Sequence, residues 1–101
     1  MKQSKNKIYN LPGVSIETIV DNKVYLLRGH KDGESYPADY TQLMLAVIDD
    51  NRVEFKGAKA FEKIRKGQAK AVLGFFKGMG ITEYQYERSN GKSFRMKTCV
   101  L

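Results

Sequence analysis

Residues 56–97, KGAKAFEKIRKGQAKAVLGFFKGMGITEYQYERSNGKSFRMK, decide how the rest of the chain reads. Ala60, Phe61 and Ile64 form one apolar helical face, and continuing it at 3.6 residues per turn would place Gln68 inside. Ala69, Val72, Leu73 and Phe76 instead start a face of their own at i, i+3, i+4, i+7, with Gly67 between the two phases. The pattern therefore predicts two helices joined by a turn at Gly67, the second running from Gln68 to Lys77. Gly78 and Gly80 stop that helix, and a strand begins at Ile81.

The end of the stretch predicts a hairpin. With Ser89-Asn90-Gly91 as a three-residue loop, Tyr86 faces Phe94 and Tyr84 faces Met96, while Glu83 faces Lys97 and Gln85 faces Arg95. Both faces are then sorted, and Gly91 supplies the left-handed residue that such a loop needs.

Upstream, Tyr40, Leu43, Met44, Val47 and Ile48 follow i, i+3, i+4, i+7, i+8, which predicts an amphipathic helix starting near Pro37 and ending at Asp49-Asp50-Asn51. Arg52 to Lys56 alternates, with Val53 and Phe55 on one face, as a short strand does. Val14 to Arg28, split by Asp21-Asn22, reads as two strands joined by a tight turn; a two-residue turn would set Ile16 opposite Leu27 and Thr18 opposite Tyr25 but point Ile19 and Leu26 the other way, so the pattern leaves the register open. Before it, Pro12-Gly13 turns the chain, and residues 1–13 are expected to form a flexible basic arm.

A chain of 101 residues is one domain, with a single modest core. Its formal net charge of +7 is unevenly placed: residues 14–55 carry −4 and residues 56–77 carry +6. An acidic middle beside a basic segment points to a polyanionic partner. Cys99 is the only cysteine, which excludes an intramolecular disulfide or a multi-cysteine metal site. No apolar run approaches the length of a membrane span, so the expected location is the cytoplasm, away from the membrane.

In element order, residues 38 to 98 then resemble the winged-helix superfamily of DNA-binding domains, a helix-turn-helix variant, above all in AVLGFFKGMGITEYQYERSNGKSFRMK. The resemblance implies an α+β fold, a winged helix with an N-terminal β-hairpin extension. Residues 14–101 would be a single domain: the hairpin extension over 14–36 and the winged-helix part over 37–101. By that resemblance the second helix enters the major groove and the wing touches phosphates or the minor groove. Gln68 and Lys70 would then reach base edges, with Lys77 at the end of the same helix. Lys59, Lys63, Arg65 and Lys66 would lie near phosphates on the preceding helix and turn. Arg88 and Lys92 would flank the wing tip, and Arg95 would lie on its outer face. The outward stripe Gly67, Ala71, Gly74, Gly78 is nearly bare, which favours a phosphate-binding frame over a sequence reader.

The implied function is duplex DNA binding, as a small transcriptional or replication regulator without catalytic activity, cofactor or metal. RNA binding or ribosome association is the first alternative. The second is a protein-interaction module or small enzyme inhibitor, with residues 14–50 forming a homodimer or protein contact. Glu54-Phe55-Lys56 after Asp49 and Asp50 faintly resembles the acidic-x-Lys pattern of a metal-dependent nuclease superfamily, though a turn and a strand explain the same residues. His30, the single histidine, reads as a loop residue.

Overall fold

The computed structural model describes residues 6–31, 33–60, 65–89 and 94–100, with side chains omitted for 58–60, 87–89 and 94–98. The chain forms β1 (Ile8–Leu11), β2 (Val14–Val20), β3 (Val24–His30), β4 (Tyr40–Asp49), β5 (Arg52–Ala60), α1 (Lys66–Gly78), β6 (Glu83–Ser89) and β7 (Phe94–Val100). The seven strands make one sheet in sequence order, antiparallel throughout except for the parallel β5–β6 pair. Parallel neighbours need a crossover to bring the chain back to the same end, and α1 lies in it.

Local chemistry sets the first turns. Pro12-Gly13 joins β1 to β2 with Gly13 at φ +78, where proline fixes the preceding φ and glycine takes the left-handed position. Ile8–Leu11, expected within the basic arm, is thus an edge strand. Ile16 does pair with Leu27, and Thr18 with Tyr25. A register shift between Thr18 and Val20 then moves Val20 opposite Val24, and Asn22 enters the left-handed region at φ 62. The Tyr25 hydroxyl accepts the Asn22 N–H at 3.1 Å and closes this turn.

The winged-helix expectation is overturned: the fold is dominated by its seven-stranded sheet, with one helix among the described residues. The helix expected over residues 37–50 is β4. Leu43 and Met44, or Val47 and Ile48, are neighbours on a helical face, but on a strand they lie on opposite sides of the sheet. Leu43 to Ile48 is six apolar residues in a row, the signature of a central strand apolar on both faces. Leu45 is the telling residue, because a helix would have placed it on its polar side.

The first helix of the expected pair also gives way to strand. β5 runs to Ala60, with Gly57 at φ +62 where the β4–β5 register shifts, as in a glycine bulge. Residues 61–64 lie outside the described residues. Gly67 makes no turn; it sits in the first turn of α1. The phase break in the sequence is real, but it marks the passage from strand to helix. The last hairpin exists in another register: Tyr84 pairs with Cys99, Tyr86 with Lys97 and Ser89 with Phe94, in place of the expected Tyr84–Met96 and Tyr86–Phe94 pairs, and the rest of the expected loop, Asn90-Gly91, lies outside the described residues.

Opposite residues on neighbouring strands share a face, so the pairings define two sides of the sheet. Tyr9, Ile16, Leu27 and Met44 make one row on the α1 side, and Tyr25, Ala46, Phe55 and Tyr86 another. The helix drives Phe76, fully buried, between Tyr25 and Phe55 with ring centroids 5.6 and 5.9 Å away. Phe75 packs on Tyr9 at 5.0 Å. The helix ends in a Schellman motif: Ile81 N–H donates to Phe76 O and Gly80 N–H to Lys77 O, with Gly80 at φ +93. Ile81 and Phe76, the pair that such a motif brings together, are both buried in the core.

Phe76→Ala is expected to lower unfolding free energy by about 3–5 kcal/mol, because it empties the centre of this aromatic layer. Urea unfolding followed by tyrosine fluorescence or far-UV circular dichroism measures it.

Candidate functional site

Two surfaces concentrate chemistry: the outer face of α1 and the side of the sheet that α1 leaves open. The first depends on how the helix is anchored. Gln68 is 5% exposed and faces inward. Its amide forms a reciprocal pair with buried Gln42, Nε2 of each donating to Oε1 of the other at 3.0 and 2.8 Å. Gln68 Nε2 also donates to the carbonyls of Gly13 (3.0 Å) and His30 (3.3 Å), while its Oε1 accepts the Arg65 N–H at 2.9 Å. That last bond satisfies a donor at the helix start, as the glutamine of a capping box does. Arg65 Nη2 donates to the His30 carbonyl at 2.6 Å. Gly29 is required here, since a Cβ would stand 1.8 Å from Gln42 Oε1.

With Gln68, Val72 and Phe76 inward, Lys66, Lys70 and Lys77 fall within about 40° of one another on the opposite pole of the helix. All three are exposed, α1 contains no acidic residue, and among the described residues none of these lysines has an ion-pair partner. Gly67, Gly74 and Gly78 border the stripe, and a Cβ at any of them would meet nothing within 4 Å.

The sites expected from sequence therefore divide. Lys66, Lys70 and Lys77 are together on open surface. Gln68 and Arg65 are not base or phosphate readers in this fold, because their polar atoms hold the helix to the sheet. Lys59, Arg88 and Arg95 are placed on β5, β6 and β7 by their backbones, and Lys63 and Lys92 lie outside the described residues.

The helix-free side carries Val24 and Leu26 of β3 beside Leu43, Leu45 and Val47 of β4. Leu45 is 40% exposed and the other four are half-buried. Charged residues border this stripe in pairs: Glu17–Arg28 at 2.8 Å, Lys56–Glu54 at 3.8 Å and Arg52–Glu83 at 3.3 Å. Hydrogen bonds from Asn6 and Arg28 hold the Glu17 carboxyl below its ordinary range. The Arg28 guanidinium lies over the rings of Tyr36 and Tyr40, both exposed, at 6.0 and 5.9 Å from their centroids. The sequence reading allowed a homodimer or protein contact within residues 14–50, which include these five residues, but did not see them as one sheet face; the signal for that was Leu45, the apolar residue that the supposed helical stripe did not use.

His30 is not a loop residue. It ends β3, fully buried, with Nε2 2.8 Å from Ser15 Oγ and Nδ1 2.9 Å from the Asp39 carbonyl. The serine–histidine distance suits a nucleophile and its base, but Ser15 is also wholly buried, so no substrate reaches it. Glu54, the carboxylate of the nuclease-like pattern, is paired with Lys56. Among the described residues no three of His, Cys, Asp and Glu converge as a metal site would require, and no helix is long and apolar enough to cross a membrane.

Two outcomes are expected. Gln68→Met, similar in size, removes the bonds that Gln68 makes to the Gln42 amide and the Arg65 N–H, while the Gly13 and His30 carbonyls keep the His30 N–H and Arg65 as donors, and should cost roughly 1–3 kcal/mol by urea unfolding. Glu17→Gln should cost about 1–2 kcal/mol near neutral pH. A lowered carboxyl pKa contributes stability that is complete above the unfolded value and lost as pH falls through the folded one. The difference between wild type and Glu17→Gln should therefore shrink in acid below the ordinary glutamate range.

Comparison of the chain with protein-family models, with curated proteins and with solved structures finds no match.

Proposed function

We propose that this protein binds nucleic acid by its phosphate backbone, on the outer face of α1. The observation that carries the reading is the exposed stripe of Lys66, Lys70 and Lys77 on a helix without acidic residues, within the segment of highest positive charge. The stripe spans about 16 Å along the helix axis, over which one strand of a duplex advances by about five phosphates. Its bordering glycines let a sugar–phosphate backbone come close to the helix.

Lysine ammonium groups neutralise phosphate without reading bases, and the base-reading candidate Gln68 faces inward. The reading is therefore of sequence-independent, salt-sensitive binding to duplex DNA, as expected of a small architectural or regulatory protein. With three phosphate contacts, log K against log[salt] should fall with a slope of about −2.7 on duplex DNA. Lys70→Ala is expected to weaken all duplex sequences alike and to make that slope shallower by roughly 0.9. Fluorescence anisotropy across a salt series, with duplex DNA, single-stranded DNA and structured RNA, measures both. If none binds at low salt, or if replacing all three lysines by alanine leaves binding intact, this assignment is wrong. Binding confined to RNA would move it to RNA.

A further inference from the structure

The helix-free side of the sheet departs from what a solvated sheet face should look like. A sheet packed on one side alternates apolar-in with polar-out along its strands. β2 and β5 obey this in their charged residues, turning Glu17, and Arg52, Glu54 and Lys56, away from the helix. The two strands between them do not. β3 and β4 present Val24, Leu26, Leu43, Leu45 and Val47 as one contiguous stripe through the sheet, extended at its end by Val20 opposite Val24. Contiguous apolar surface of this kind marks a covered face.

We infer that a second copy of this chain covers it, the two sheets packing face to face about a two-fold axis with each α1 on the outside. The identity of the occupant follows from charge. All three ion pairs among the described residues lie on this side, so its acids and bases neutralise one another while the chain as a whole carries +7. A polyanion gains little from a face whose cations are already paired. Two strongly positive copies, by contrast, meet with least repulsion here and with most repulsion through their lysine helices.

Size is consistent with this occupant. The face of β1 to β5 is about 24 Å wide and about 25 Å long, roughly 600 Å² in projection before side-chain relief, where a standard interface buries about 800 Å² per partner. A two-fold interface is self-complementary, so an apolar centre with a neutral charged border on one copy meets the same on the other. Such a sandwich would place the lysine stripes on opposite outer flanks of the dimer. The inference does not rest on the nucleic-acid reading.

The test is the mass of the full chain in solution by sedimentation equilibrium, at micromolar and higher concentrations. A dimer of twice 11.5 kDa is expected, and Leu45→Glu should reduce it to 11.5 kDa while keeping the far-UV spectrum of the folded protein. A wild type that stays monomeric, or a dimer that survives Leu45→Glu, overturns the inference. Should Leu45→Glu fail to fold, single cysteines at Leu43 and Leu45 in a Cys99→Ser background decide. A short bis-maleimide, each thiol adding across one maleimide double bond, should link two copies at one of these positions and not through Lys70→Cys. Linking at Lys70 alone, or at none of the three, also overturns it. Retained anisotropy binding by monomeric Leu45→Glu would leave the lysine-face reading standing while the two-copy arrangement is judged separately.

Discussion

The buried amide of Gln68 is the interaction on which the rest of this structure depends. A glutamine side chain in the interior is costly unless its donors and acceptor are satisfied, and here they bond to Gly13, His30, Gln42 and the start of the helix itself. Those partners come from the β1–β2 turn, β3 and β4, three separate pieces of the sheet. One side chain thereby fixes both where α1 begins and how it is rotated about its axis. Phe76, two turns further on, is consequently driven into the aromatic layer. The same rotation forces Lys66, Lys70 and Lys77 outward.

The sheet responds to that constraint. Gln42 fills the space that a side chain at Gly29 would need, and the His30 carbonyl accepts bonds from both Gln68 and Arg65. His30 is held in turn through its ring by Ser15 and the Asp39 carbonyl. A polar network of this kind is worth having only when complete, and no buried side-chain polar atom among the described residues lacks a partner.

Much of the local structure was legible in the residues, while the architecture was not. The β2–β3 pairing, the β5 alternation and the second helix all follow from short-range pattern, and the structure keeps them. The helix assigned to residues 37–50 failed because a strand apolar on both faces satisfies helical spacing by coincidence; Leu45 was the residue against it. The break at Gly67 failed for a related reason. The pattern itself put Gln68 inside if the apolar face continued, and treating a buried glutamine as implausible turned a strand-to-helix junction into a helix-turn-helix. Of the candidate site, the lysines were readable from composition. Which of their neighbours were already engaged was not, because the partners of Arg65 and Gln68 lie 26 to 55 residues away in the chain.

The composition of α1 sharpens the question of what its outer face is for. Gly67 and Gly78 lie at the two ends of the helix and Gly74 in its interior, where a glycine costs about 1 kcal/mol relative to alanine. Lys66 stands in the first turn, where the helix dipole disfavours a cation, and without an acidic residue the helix has no internal ion pair. Its stability must therefore come from the sheet: the Gln68 network at one end, Phe75 and Phe76 along its length, and the Ile81–Phe76 closure at the other. Packing gives no reason for the glycines, since added methyl groups would meet open space. Under the proposed reading, that composition answers to a polyanion outside the fold. Bare backbone between exposed ammonium groups is the chemistry by which a phosphate chain is approached closely.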